Sequence, residues 1–109
     1  MTKPNKQKKQ DCLFILSTGD QYNFEIASFQ FDAYKEQYHR VCVAVPTEVW
    51  LKKKSISWVI ENYKVRYENF RKIIAIDKIY VFDTDYQLDQ YKEQENPDTF
   101  VDIIQFIHT

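Results

Sequence analysis

The chain has one glycine in 109 residues, and that scarcity excludes more than any motif it contains. Loops that cradle phosphate need close backbone approach to the anion, which glycine permits and other residues obstruct. P-loop and GxGxxG dinucleotide signatures are accordingly absent. Cysteine is nearly as rare. Cys12 and Cys42 each fall in an apolar run, so two buried free thiols are expected rather than a disulfide framework. Structural zinc sites show paired C-x₂₋₄-C or H-x₃₋₅-H clips. His39 with Cys42, and Cys12 and His108 elsewhere, offer four donors without that spacing. No apolar run reaches membrane-spanning length, and the amino terminus lacks the apolar stretch of a signal peptide. A soluble cytoplasmic protein with no cofactor is the expectation.

What is present is aromatic. Eight Phe, eight Tyr and two Trp within a 44% apolar composition suffice for one ring-filled core at the commonest domain size. Residues 1–10, MTKPNKQKKQ, have nothing to bury after Met1 and are expected to form a disordered basic tail, leaving residues 11–109 as a single domain.

Along that domain, residues 12–16 read as a strand, and Ser17-Thr18-Gly19-Asp20 as the turn of an N-terminal hairpin. The returning strand alternates Tyr22, Phe24 and Ile26, then slips phase to Ala27, Phe29 and Phe31, which suggests a β-bulge. Asp32 can cap a short helix to about Tyr38. Residues 41–45, VCVAV, suit a central strand covered on both faces. Thr47 can start a turn of helix through Val49, Trp50 and Leu51. Val59, Ile60, Tyr63, Tyr67 and Phe70 then fall on one helical face. Residues 73–82 read as the longest strand, and Thr84 or Asp85 can cap a polar helix through about Gln94. Asn96-Pro97-Asp98 can begin a last helix with Phe100, Ile103, Ile104 and Ile107 on one face, although residues 100–107 suit a strand as well. The predicted fold class is α+β: one domain, a sheet of about four strands with helices packed on it, in the order β-β-α-β-α-β-α-α.

A net charge of −1 hides a division of the chain by sign. Residues 52–72 carry seven bases against Glu61 and Glu68, whereas residues 83–102 carry seven acids against Lys92 alone. Asp85, Asp89 and Glu93 lie at i, i+4 and i+8, an acidic helix face where like charges cost a few tenths of a kcal/mol per pair. With Asp83, Tyr86 and Tyr91 they form a candidate surface for a protein partner, because an acidic face steers a basic protein and tyrosines supply rigid contact area. Trp50, Lys52, Lys53, Lys54, Lys64, Arg66, Arg71 and Lys72 form the basic and aromatic mixture of nucleic-acid binders, the alternative reading. Exposed rings among so many aromatics would also serve a homodimer face.

Tyr80-Val81-Phe82-Asp83-Thr84-Asp85 is an apolar strand ending in two acids. It resembles the hhhDxD pattern of haloacid-dehalogenase-like phosphatases, nucleotide-sugar glycosyltransferases and toprim domains, over six residues. That resemblance implies a divalent cation at Asp83 and Asp85 in a metal-dependent enzyme, the third reading; the structural alternative is a strand end and a helix cap. In size, charge layout and lack of a catalytic signature the chain resembles toxin-immunity and phage anti-defence proteins. The leading expectation is therefore a non-enzymatic binding protein that inhibits or regulates a protein partner, with a basic nucleic-acid-processing enzyme as one such partner.

Overall fold

The computed structural model describes residues 8–19, 24–56 and 63–104. Its elements run β1 (Gln10–Leu16), α1 (Phe24–Gln37), β2 (Tyr38–Pro46), α2 (Glu48–Lys53), α3 (Tyr63–Arg71), β3 (Lys78–Phe82), α4 (Asp85–Glu95) and β4 (Thr99–Asp102). The expected single domain mixing helices with a four-stranded sheet is what forms. All its strand pairs are parallel, in the order β3-β2-β1-β4. Parallel neighbours need crossover connections, which is why helices separate the strands. No helix among the described residues is long and apolar enough to cross a membrane.

The continuous apolar runs of β1 and β2 place them inside the sheet, where both faces are covered. Cys12, Phe14, Leu16, Cys42 and Ala44 face one core, closed by Trp50 and Leu51 of α2, Leu88 of α4 and Ile104. Leu13, Ile15, Val41, Val43 and Val45 face the other, closed by Ala27 and Phe31 of α1 and Phe70 of α3. Thus α1 and α3 cover one face, and α2 and α4 the opposite face.

Four sequence expectations are corrected. The hairpin and its bulge do not form, because residues 24–37 are one helix of 14 residues. Ala27 and Phe31 are buried and Tyr34 half-buried at i, i+4 and i+7, while Phe29 is 78% exposed. A period of two that needs a slip to continue was a helical period. The short helix from Asp32 is the second half of α1, and Asp32 is exposed within it rather than at its cap. The strand expected over residues 73–82 spans only Lys78–Phe82, at an edge. Before it the chain turns, burying Ile73 and Ala75 beneath α3 and leaving Ile74 96% exposed. The Asp77 carboxylate there accepts the Val41 N–H at 2.8 Å. Finally, Asn96 does not begin a helix. It ends α4 in the left-handed conformation, φ 48°, and residues 99–102 pair with β1 as the strand that their β-branched composition also allowed.

The central strand at 41–45, the helical turn after Thr47 and the helix capped by Thr84 form as the sequence implies. The helix expected from Val59 is described from Tyr63 onward, and Val59 and Ile60 lie outside the described residues, as do residues 1–7 of the tail and Ile107.

Gly19 adopts φ +85° after β1, as its turn chemistry implied, and the next element is α1; Asp20 and Tyr22 lie outside the described residues. A Cβ there would sit 2.7 Å from Phe70 Cε2 and 3.2 Å from Arg66 Cβ. Gly19→Ala should therefore cost more than the roughly 1–2 kcal/mol of a left-handed non-glycine residue, because Phe70 must also move. Urea unfolding checks this: a lowered midpoint at unchanged slope is expected.

Candidate functional site

Helix α4 carries four of the seven acids of residues 83–102 and is capped at both ends. Thr84 Oγ1 accepts the Gln87 N–H at 3.2 Å, and Gln87 Oε1 accepts the backbone N–H groups of Thr84 and Asp83 at 3.3 and 2.6 Å. That reciprocal box satisfies donors that a helix start leaves unpaired. Leu88 packs into the core, and Tyr91 stacks on Tyr80 with ring centroids 4.4 Å apart.

The structure divides the six residues proposed for partner binding. Asp83 accepts the Thr47 hydroxyl, tying β3 to the start of α2. Asp85 accepts Trp50 Nε1 at 2.8 Å and Lys54 Nζ at 2.9 Å. The Lys54 ammonium, then the indole N–H, hold its carboxyl below the ordinary aspartate range. Tyr91 donates to the Val81 carbonyl at 3.2 Å. These three brace the domain. Tyr86, 70% exposed, and the exposed Asp89 and Glu93 instead form an outward stripe along α4, and Gln90 reaches the Tyr86 hydroxyl within it. Neither Asp89 nor Glu93 has a cationic partner among the described residues.

The basic region is not brought together on one face. Trp50 is buried against Phe82, and Arg66 is fully buried, donating to the Pro46 carbonyl and reaching Glu48 at 3.5 Å. Lys54 is paired with Asp85, and Arg71 with Glu68 at 3.5 Å. Lys52 and Lys53 on α2 and Lys64 and Lys72 on or beside α3 are exposed, but α2 and α3 cover opposite sides of the sheet. For the hhhDxD reading, both oxygens of Asp85 are occupied by donors, an arrangement that competes with a cation.

Sequence reasoning missed a buried polar cluster at the opposite end of α4. Glu95 has a 4% exposed side chain and accepts from Arg40 of β2 and from Tyr80 and Lys78 of β3, the last at 3.1 Å. Burial alone would raise its pKa, but the hydrogen bonds from Tyr80, Arg40 and Lys78 outweigh that and bring it down to about 2. Strand parity was the available signal, since Arg40 shares a face with Cys42 once residues 38–46 are read as one strand.

Among the described residues, donor atoms of Cys12, Cys42 and Glu95 lie within 4.8 Å of one another. The set does not suit a cation, because Arg40 and Lys78 already neutralise the carboxylate and burial pushes the Cys42 thiol up to about 12. His39 is exposed and three residues from Cys42 along a strand, hence on the other face; His108 lies outside the described residues. Nor are the thiols placed for a disulfide. Cys12 pairs with Arg40, two residues from Cys42, so the two Cα atoms are about 8 Å apart by strand geometry, beyond bridging range.

Because Glu95 titrates near 2 when folded and near its ordinary 4.5 when unfolded, its stabilisation is complete above about pH 4.5 and fades as pH falls toward 2. Glu95→Gln should cost about 1–3 kcal/mol at neutral pH, less than a fully buried pair because Arg40 and Lys78 can resolvate. Urea midpoints at about pH 7, 4 and 2.5 should show the wild-type advantage shrinking, and a constant gap would contradict the assignment. No protein-family model matches the sequence, and no curated protein is significantly similar to it.

Proposed function

We propose that the chain is a non-enzymatic intracellular binding protein that inhibits or regulates a protein partner, docking the Tyr86-Asp89-Gln90-Glu93 stripe of α4 on a basic surface. One observation carries this reading. Most ionisable residues of the acidic region are engaged internally, yet Asp89 and Glu93 stand one turn apart, exposed and without a cation among the described residues, beside a 70% exposed tyrosine. Like charges at i, i+4 disfavour the helix slightly, and a complementary cation would relieve them. The stripe sits on a helix fixed at both ends, so docking would order little beyond side chains. A basic nucleic-acid-processing enzyme is the partner class with the complementary charge. Two buried free thiols accord with a reducing, cytoplasmic setting.

The experiment is capture of partners from extracts of the native host with the wild-type chain and with an Asp89→Lys/Glu93→Lys variant, followed by association kinetics on the captured protein. The variant should associate at least about tenfold more slowly and lose the wild-type salt dependence. Equal rates and equal salt slopes would overturn the proposal.

A nucleic-acid reading rests on Lys52, Lys53, Lys64 and Lys72, which are exposed and lack carboxylate partners among the described residues. It expects retardation of single-stranded or duplex DNA or RNA at about 50 mM salt that disappears on raising the salt. Without a shift even at that low salt, this second reading falls.

A further inference from the structure

The surface that nothing above employs lies on the inner side of α4. A crevice of about 350 Å³ opens between α2 and α4, floored by Leu16, Phe100 and Leu88 and walled by the Trp50 indole. Its place in the topology is specific. Leu16 is the last residue of β1 and pairs with Asp102, the last of β4. After β1 the chain leaves for α1 on one face of the sheet, whereas after β4 it passes to Ile104 on the other. Adjacent strands whose continuations part to opposite faces leave a gap beyond their carboxyl ends, which is where open parallel sheets bind ligands.

The charges inside decide what would fit. Asp85 and Lys54 are committed to each other, and Asp85 also holds the indole by its N–H, so this wall is preset and electrically balanced. Lys92 differs. Its ammonium lies 3.9 Å from the centroid of the Phe100 ring and has no carboxylate partner among the described residues. The crevice therefore offers aromatic and aliphatic walls and one cation poised at a ring. Asp102 also lines the crevice, so one ammonium without a carboxylate partner suits a single negative charge rather than a polyphosphate, for which no glycine-built cradle is present either.

We propose that this crevice binds a small planar aromatic monocarboxylate, its ring against the Trp50 indole and the apolar lining of Leu16, Ile56 and Leu88, and its carboxylate paired with Lys92. The site is separate from the outward stripe of α4 and does not depend on any protein partner.

The test uses the purified full chain with naphthalene-2-carboxylate as probe and its neutral carboxamide as control. A Trp58→Phe background leaves Trp50 as the one indole, whose N–H resonance reports on the wall directly. The carboxylate should shift that resonance with a dissociation constant on the order of 100 µM, and the carboxamide should bind at least about tenfold more weakly. Lys92→Met keeps the side-chain stem and should weaken the carboxylate about tenfold while leaving the carboxamide unchanged; Lys92→Arg should retain binding. Lys92 is half-exposed, and an unchanged spectrum of the variants confirms that they fold. No shift of the Trp50 signal at roughly millimolar carboxylate would overturn the site. Equal affinity for carboxylate and carboxamide, or an unaltered Lys92→Met, would overturn the anion preference, as would tighter binding of inorganic pyrophosphate.

Discussion

The buried carboxylate of Glu95 is the constraint on which the acidic side of the molecule depends. Taking a carboxylate out of water is costly unless donors replace the lost hydration, and here three converge from two strands: Arg40 of β2, and Lys78 and Tyr80 of β3. The cluster fixes geometry more than it adds stability, because Arg40 and Lys78 both reach solvent and could be rehydrated. What it fixes is the far end of α4 over the start of the sheet. The turn that follows is held in the same way. Asp98 accepts the backbone N–H groups of Asp11 and Cys12 at 2.7 and 3.0 Å, which delivers the chain to β4 beside β1.

At the near end of α4, Asp85 does the complementary task through Trp50 and Lys54, and Asp83 holds Thr47. The acids of residues 83–102 are thus of two kinds. Asp83, Asp85, Glu95 and Asp98 are fasteners between elements, each opposite a named donor, while Asp89 and Glu93 in the middle of α4 face solvent. A segment that reads in sequence as a uniform acidic run is heterogeneous in space: the four fasteners accept hydrogen bonds from elsewhere in the chain, and Asp85 and Glu95 are paired with cations as well. This narrows the surface available for steering a partner to the two carboxylates near Tyr86.

The features legible in the sequence were those set by local chemistry: the buried VCVAV strand, the Thr84 cap, the left-handed Gly19, and two buried thiols. The features that escaped were set by tertiary context. Phe29 and Phe31 alternate as strand residues do, and only the phase slip and the i, i+4, i+7 spacing of Ala27, Phe31 and Tyr34 marked a helix that leaves Phe29 exposed and packs Phe31 into the core. Residues 73–76 are as β-prone as β3 itself, but the chain turns there and buries Ile73 and Ala75 against α1 and α3. Of the candidate surface, the i, i+4, i+8 spacing grouped Asp85, Asp89 and Glu93, and the last two share an exposed face of α4. It could not show that Asp85 faces Trp50 and Lys54, because those contacts span more than thirty positions. Glu95, Arg40 and Lys78 are far apart in sequence and individually ordinary, so their cluster exists only after the parallel register is known.

The two faces of α4 are offset by a single residue: Asp85, Leu88 and Lys92 turn toward the crevice, and Tyr86, Asp89 and Glu93 away from it. A ligand moves an equilibrium only by its differential affinity for two states. A helix pinned at one end by Glu95 and at the other by Asp85 has little room for a second state, so occupation of the crevice and docking on the outer stripe are energetically independent while both pins hold. The Asp85 pin is the weaker of the two. Its side chain is 61% exposed, against 4% for Glu95, and the Lys54 that holds it is 41% exposed. Coupling between the two surfaces, where it arises, must therefore pass through the Asp85–Lys54 pair, because that contact can open without stranding a buried charge.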